Sequence, residues 1–278
     1  MPGDNERAMD KARELAADVV IFDLEDAVAP ENKETARQRA VAAVREGGYG
    51  NREVLIRVNG RDTPWGEDDL RAVATSGVSG VVLPKVETPG SVTEAIRGLD
   101  GAGGPADLPV WAMAETPAGI LNISAIVTNQ PRMTAVVMGT SDLARDLRVI
   151  QSADRSGLLY SLSRCVLAAR AHGIDIIDGV HLALDDSDGY RTACEQGREL
   201  GFDGKSLIHP RQIADANAVF GISDAEADLA REIVSAWKAA RAAERGVTVV
   251  RGQLIEQLHV DDAERIIALH EASQALRN

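Results

Sequence analysis

Seven short runs rich in Val and Ile, each followed by a longer amphipathic stretch, recur along the chain, and no other feature restricts its fold as tightly. They cover residues 18–24 (DVVIFDL), 54–59, 80–86, 109–115, 134–140, 174–180 and 202–208. None alternates strictly between apolar and polar residues, the pattern of strands covered on both faces in a parallel sheet. The intervening segments, 32–45, 67–75, 91–99, 118–128, 156–171, 187–200 and 210–219, have helical periodicity. Strand–helix alternation of this kind builds parallel sheets through right-handed crossovers.

Seven strands are one short of a closed (β/α)8 barrel. The chain opens on Pro2-Gly3-Asp4-Asn5 and runs directly into a helical segment, 6–17, as a βα loop does when its strand is cut away. The expected fold class is therefore α/β, a TIM (β/α)8 barrel with its first strand truncated. A length of 278 residues suits one barrel plus an extension. No GxGxxG turn supports an open doubly wound sheet. Beyond about residue 220 the pattern changes to a long helix (224–245), an extended run (247–255) and a last helix (261–276). The expected division is a catalytic barrel, 1–220, and a C-terminal extension, 221–278, that contacts a neighbouring subunit.

Composition excludes several classes of partner. With 30 basic and 43 acidic residues the chain carries a net charge of −13, against nucleic acid or an anionic membrane as partner. Three each of Trp, Tyr and Phe are too few for a base-stacking platform. No apolar run approaches a membrane span, and the amino terminus lacks the apolar core of a secretory signal. Cys165 and Cys194 lie in helical stretches without metal-type spacing and read as buried structural thiols. These features fit a soluble cytoplasmic protein.

In a barrel, reactive groups gather at the carboxyl ends of the strands. Read in order, those ends supply Asp23, Glu25 and Asp26, then Arg57 and Asn59, then Lys85 and Glu87. Glu115, Ser141 and Asp142 follow, then Asp178 and His181, then Lys205 and His209. Converging carboxylates without paired cysteines or a close His pair favour Mg²⁺ over zinc. Glu115 and Asp142 end neighbouring strands, so their oxygens can meet on one ion; each can equally cap the helix that follows. Arg57 interrupts an apolar strand and is either a clamp for an oxyanion or carboxylate, or half of a salt bridge to Asp23 or Glu25. Lys85 and Lys205 can form a Schiff base or an ion pair. His181 and His209 read as structural, His209 orienting the loop before Pro210.

The segments PGDNERAMDKA, VIFDLEDAV, LIRVNG, LPKVE, AETPAGI, GTSDLARDL, GFDGKSLIHP and GQLIEQLHVDDAERI occur in that order. Together they resemble the citrate lyase β-subunit-like CoA-ester lyases of the HpcH/HpaI aldolase superfamily, over essentially the whole chain. The resemblance implies a TIM barrel, Mg²⁺ as cofactor, and cleavage of a β-hydroxyacyl-CoA of the malyl-CoA or citramalyl-CoA type to acetyl-CoA and an α-keto acid. It implies Glu115 and Asp142 as metal ligands and Arg57 as the substrate-binding arginine. Glu25 and Asp26 would stand around the metal, and Arg7 and Lys11 would hold the CoA portion. Glu256, offered by the C-terminal segment of the next subunit, would protonate the enolate, which implies a homotrimer or a multiple of one.

Three positions depart from the common pattern: Glu256 where many relatives carry Asp, Ala183 where a polar residue is usual, and Arg148 in place of a glycine. Relatives also have a strand ahead of the PGDNER loop, within which this chain starts. Other readings are a citrate lyase β subunit acting on citryl-acyl carrier protein, a Schiff-base aldolase using Lys85 or Lys205, and a non-catalytic CoA-ester-binding barrel.

Overall fold

A computed structural model describes residues 1–150 and 152–277, which form two compact units, Met1–Val219 and Phe220–Asn278. The first unit is built on seven parallel strands: β1 (Val19–Asp23), β2 (Glu53–Arg57), β3 (Gly80–Leu83), β4 (Val110–Ala114), β5 (Met133–Met138), β6 (Asp175–Asp178) and β7 (Gly204–Lys205). Strands adjacent in the chain are paired with one another from β1 through β7, so spatial order equals chain order, as in a TIM-type α/β fold. Ahead of β1, Met1–Gly3 takes the free edge of that strand. Pro2 bridges Asp23 in parallel, and the Gly3 N–H donates to the Asp23 carbonyl at 2.8 Å.

The crossovers carry α1 (Glu6–Lys11), α2 (Lys33–Glu46), α3 (Gly66–Ala74), α4 (Pro89–Gly101), α5 (Pro117–Val127), α6 (Thr140–Leu147), α7 (Leu159–Ala171), α8 (Ser187–Leu200) and α9 (Ile213–Phe220). Sequence reasoning lists these helices except α6, for which it offers only a possible start after Asp142. The Thr140-Ser141-Asp142 stretch reads as a strand end, yet Gly139 opens a two-turn helix there, closed by Arg148 in the left-handed conformation (φ 56°). That left-handed position is where glycine would be the usual residue, so Arg148 departs from the common pattern at a helix end. The run 202–208 yields only two strand residues, Gly204 and Lys205.

Side chains two apart on a strand share a face. Val19 and Ile21, Leu55, Val82, Trp111 and Met113, Val137 and Ile177 therefore form one apolar layer. Continuing the same period along the chain brings Asp23, Arg57, Glu115 and Gly139 to that face at the carboxyl ends of the strands. The opposite face, with Val20, Phe22, Ile56, Val81, Ala112, Val136 and Ile176, is equally buried. Burial on both sides is why the strands read as continuous apolar runs.

Asp178 ends β6 on that second face and is fully buried, register-paired with Lys205. Its carboxylate accepts from Arg155 Nη1 at 2.8 Å to each oxygen, from Lys205 Nζ at 2.7 Å and from the Gly179 N–H at 2.8 Å. The Lys205 side chain is 1% exposed, and burial holds its pKa below the usual lysine value. Lys205 is thus an ion-paired structural lysine with no access for a carbonyl substrate. Of the histidines near these strand ends, His209 caps the turn at Pro210–Gln212, accepting from the Arg211 N–H at 3.1 Å. His181 packs its ring against Tyr190. Cys165 and Cys194 are buried and unpaired, and burial pushes the Cys165 thiol up to about 12.

In the second unit, Ser223 and Glu226 form a capping box at the start of α10 (Asp224–Ala242). The expected extended run is a hairpin of β8 (Thr248–Val250) and β9 (Gln253–Ile255), turned by Arg251 and Gly252, both at positive φ. The last helix, α11 (Gln257–Arg277), starts four residues earlier than periodicity suggests. Trp237, Val250, Ile255 and Val260 make the core of this unit. Among the described residues, no helix is long and apolar enough to cross a membrane.

Removing the carboxylate at Asp178 leaves two cations buried without their partner. Asp178→Ala should lower the unfolding free energy by ~3–5 kcal/mol, read as a fall in the urea midpoint at pH 7. A loss under ~1 kcal/mol would mean that the cluster does not hold the β6–β7 end together.

Candidate active site

The site begins where β1 and β2 end side by side. Asp23 and Arg57 are register partners, and the guanidinium meets the carboxylate with two bonds, Nε to Oδ1 at 2.7 Å and Nη2 to Oδ2 at 2.6 Å. The same carboxylate accepts the N–H groups of Glu25 (2.9 Å) and Ala27 (3.0 Å), which folds the DLEDAV segment back over the strand end. Burial alone would raise the Asp23 pKa. The bonds and charge of Arg57, with those two N–H groups, overcome that and hold the carboxyl below the usual range. Burial likewise opposes the charge on Arg57, but Asp23 and Glu25 raise its pKa further, so it is a permanent cation. The salt-bridge reading of Arg57 is therefore correct for both acids, since Nη1 also lies 3.2 Å from Glu25 Oε2.

A second layer, of which sequence reasoning singles out only Asn59, grips this loop from behind. Lys33 is buried and donates to the carbonyls of Leu24 (2.8 Å) and Glu25 (2.7 Å), with its ammonium over the Trp65 ring. Asn59 Nδ2 also donates to the Leu24 carbonyl, at 2.9 Å. Asp69, fully buried, orients Asn59 through its backbone N–H (2.9 Å) and amide (2.6 Å), and binds Arg37 Nε at 2.6 Å. Beyond Asn59 at the end of β2, the sequence signal for this network is a charged residue inside an apolar helix stripe, at 33 and at 69.

Glu115 follows β4 and is 2% exposed. It precedes Thr116, which caps α5 by accepting the Gly119 N–H at 3.1 Å, so Glu115 is not the cap and its side chain is free for other work. Gly139 ends the adjacent strand. A Cβ there would lie 2.3 Å from Glu115 Cβ and 2.4 Å from Oε2, so only glycine lets β5 pass this close to the carboxylate. Asp142 sits half-buried in the first turn of α6, bound to Arg145 at 2.7 Å. Burial, with the nearby charge of Glu25, pushes the Glu115 carboxyl up to about 7 against the opposing Lys85 N–H and Arg57.

Lys85 ties these pieces together. Its backbone N–H donates to Glu115 Oε1 at 2.8 Å from a strand-end residue held at φ 47°. Its ammonium bonds Glu25 Oε1 and lies 3.5 Å from Asp26 Oδ2 and 3.8 Å from Asp142 Oδ2. Desolvation pulls its pKa down, but the bond and charge of Glu25 together with the charges of Glu115 and Asp26 overcome it and raise the pKa, the opposite of what a Schiff-base lysine needs. Burial raises Glu25, against the pull of Arg57 and Lys85. Glu25, Asp26, Arg57, Glu115 and Asp142 thus all meet through Arg57 or Lys85.

Two sets of candidates remain. Arg7 and Lys11 are exposed on α1, which starts just after Gly3 and hence from the strand end that carries Asp23. Glu256 belongs to the second unit, exposed directly after β9, its N–H donating to His259 Nδ1 at 3.0 Å. The donor set is all carboxylate. Among the described residues, no three His, Cys, Asp or Glu side chains are gathered tightly enough to hold a metal alone. Two carboxylates fit a hard cation that keeps water and substrate in its other positions.

The HpcH/HpaI aldolase/citrate lyase family matches residues 1–210. A (3S)-malyl-CoA thioesterase of Cereibacter sphaeroides (strain KD131) is 46% identical over 277 residues, spanning 100% of this chain and 95% of that protein. The citrate lyase subunit beta of Leuconostoc mesenteroides subsp. cremoris is 33% identical over 98% of this chain and 92% of its own length. The solved structure of CitE from Mycobacterium tuberculosis in complex with magnesium, acetoacetate and coenzyme A superposes with a TM-score of 0.77 at 29% identity, covering 98% of this chain and 96% of that one.

Glu115 makes metal-free stability depend on pH. Its carboxyl titrates near 4.5 when unfolded and near 7 when folded, so its contribution is complete below 4.5 and is lost as pH rises through 7. At 1.36 kcal/mol per pH unit the loss is ~3 kcal/mol. In EDTA, unfolding free energies at pH 5 and pH 8.5 should differ by about that much more in the parent than in Glu115→Gln. Equal differences would show that Glu115 is not carried as a buried acid.

Proposed function

Because the chain belongs to the HpcH/HpaI aldolase/citrate lyase family, we propose that it cleaves the carbon–carbon bond of a β-hydroxyacyl-CoA of the malyl-CoA type, releasing acetyl-CoA and an α-keto acid. The observation that carries this reading is the buried Glu115 carboxylate, which feels the charge of the fixed Arg57 cation and shares Lys85 as a partner with Asp142. The magnesium in the CitE complex and the carboxylate-only donors here support Mg²⁺ as the cofactor, held by Glu115 and Asp142. When bound it would supply Lewis acidity that lowers the pKa of the substrate hydroxyl.

The chain's own residues do the rest. Arg57 cannot deprotonate and cannot swing, since Asp23 grips two of its nitrogens. It offers a pre-oriented cation to the thioester oxygen, where negative charge grows as the carbon–carbon electrons move into the enolate. Glu25 and Asp26, held by Lys85, keep the surrounding field acidic and orient the water and hydroxyl groups around the reacting carbon. Glu256 from a second copy of the chain delivers the proton that turns the enolate into acetyl-CoA, the reason we expect a homotrimer or a multiple of one. Arg7 and Lys11 would meet the phosphates of CoA.

A second reading is hydrolysis of the same thioester, favoured by the 46% identity to a malyl-CoA thioesterase. One assay separates them. With malyl-CoA and Mg²⁺, carbon–carbon cleavage yields glyoxylate and acetyl-CoA with no free thiol, whereas hydrolysis yields malate and the CoA thiol. EDTA should stop the former, and Arg57→Met should lower its kcat ~10²–10³-fold. Thiol release without glyoxylate would replace the lyase reading with the thioesterase.

A further inference from the structure

Lys85 contacts four carboxylates of the site, Glu25, Asp26, Glu115 and Asp142, and the proposed chemistry uses its ammonium only to hold the first two. It is a strand-end residue at positive φ, a conformation that costs a non-glycine residue about 1 kcal/mol or more. In that conformation its N–H holds Glu115 Oε1 while its side chain doubles over toward Glu25, Asp26 and Asp142. One cation thus neutralises carboxylates from the β1 loop and from α6 at once.

The surrounding charges make the consequence calculable in sign. The contacts gather six carboxylates, Asp23, Glu25, Asp26, Glu115, Asp142 and Asp146, around four cations, Arg57, Lys85, Arg145 and, behind the β1 loop, Lys33. Arg57 is committed to Asp23 and Glu25 on the buried side. Arg145 is an exposed i,i+3 partner of Asp142 on the outer side. Lys85 is the cation standing between the Glu115 and Asp142 positions, linked to one through its backbone and to the other through its ammonium.

We propose that Lys85 is a built-in counter-cation that competes with the divalent ion for the carboxylates of this site, weakening metal affinity while keeping the metal-free acids together. The proposal rests on Glu115 and Asp142 as the metal-binding pair. The positive charge of the ammonium would oppose a divalent cation held by the same acids, and its neutralisation of Glu25 and Asp26 would act in the same direction. Lys85 is a positioning residue, since it acts through the carboxylates.

The test is Mn²⁺ binding to the full-length protein, followed by calorimetry and by the loss of free-Mn²⁺ electron paramagnetic resonance signal, with no substrate present. Lys85→Met should bind Mn²⁺ about tenfold tighter than the parent, and Lys85→Arg, which keeps the charge, should stay within about twofold. Lys85→Gln carries the same expectation as Lys85→Met if the latter does not fold. The neutral variants should also unfold at lower temperature in EDTA than the parent and regain the difference when Mn²⁺ is added. Tightening of less than about threefold, or weaker binding, in a folded neutral variant overturns the proposal. If the parent binds no Mn²⁺, or if Glu115→Gln binds it as well as the parent, the metal-site reading itself fails, a result distinct from failure of the Lys85 assignment.

Discussion

The bidentate pair between Arg57 and Asp23 is the interaction on which the candidate site depends. It joins the ends of two adjacent strands on the face of the sheet that also carries the apolar layer. Taking both charges out of water is expensive, and a hydrophobic pair of similar volume would serve stability as well. What the ionic pair supplies is direction. Asp23 spends its remaining acceptor capacity on the Glu25 and Ala27 N–H groups, so the guanidinium and the acidic loop are fixed by one carboxylate. Lys33 and Asn59 hold the same loop by its carbonyls, so the position of Glu25 is set from two sides.

Two ionic clusters lie at the carboxyl ends of the strands, and the strand period separates their tasks. Asp23, Arg57 and Glu115 continue the face of Ile21, Leu55 and Met113, where side chains can reach a ligand at the strand ends. Asp178 falls one residue out of phase, on the face of Ile176, and there it is closed in by Arg155 and Lys205. The chemistry of the groups is similar. A shift of one position decides whether an acid is available for reaction or serves as a buried counter-ion.

Much of this was legible in the residues. Doubly buried parallel strands announce themselves as Val- and Ile-rich runs, and a polar group ending such a run stands out, which is how Arg57, Glu115 and Asp142 are found. The eight ordered segments extend that reading to a family, and the family match and the TM-score bear it out. Other features were hidden for definite reasons. Helix α6 is only two turns and begins at a glycine, so its start resembles a strand end. Lys33 and Asp69 show locally only as charges inside apolar helix stripes, and nothing local reveals which distant groups they meet. Lys85 reads as a lysine with two possible fates, and its contacts with Glu25, 60 residues away, appear only in the fold.

By itself the sequence determined the architecture, because the apolar period and the alternation of strand and helix leave the backbone few ways to bury its hydrogen-bonding groups. It also determined the chemical type of the site, an oxygen-rich acidic cluster with a single embedded arginine. The tertiary structure decided which charges meet. Pairing at 2.6–2.8 Å depends on strand register and on the room that Gly139 leaves beside Glu115, and neither is encoded in any local stretch of chain. The energy of a charge is set by the charges around it and by its access to water, and both follow from packing.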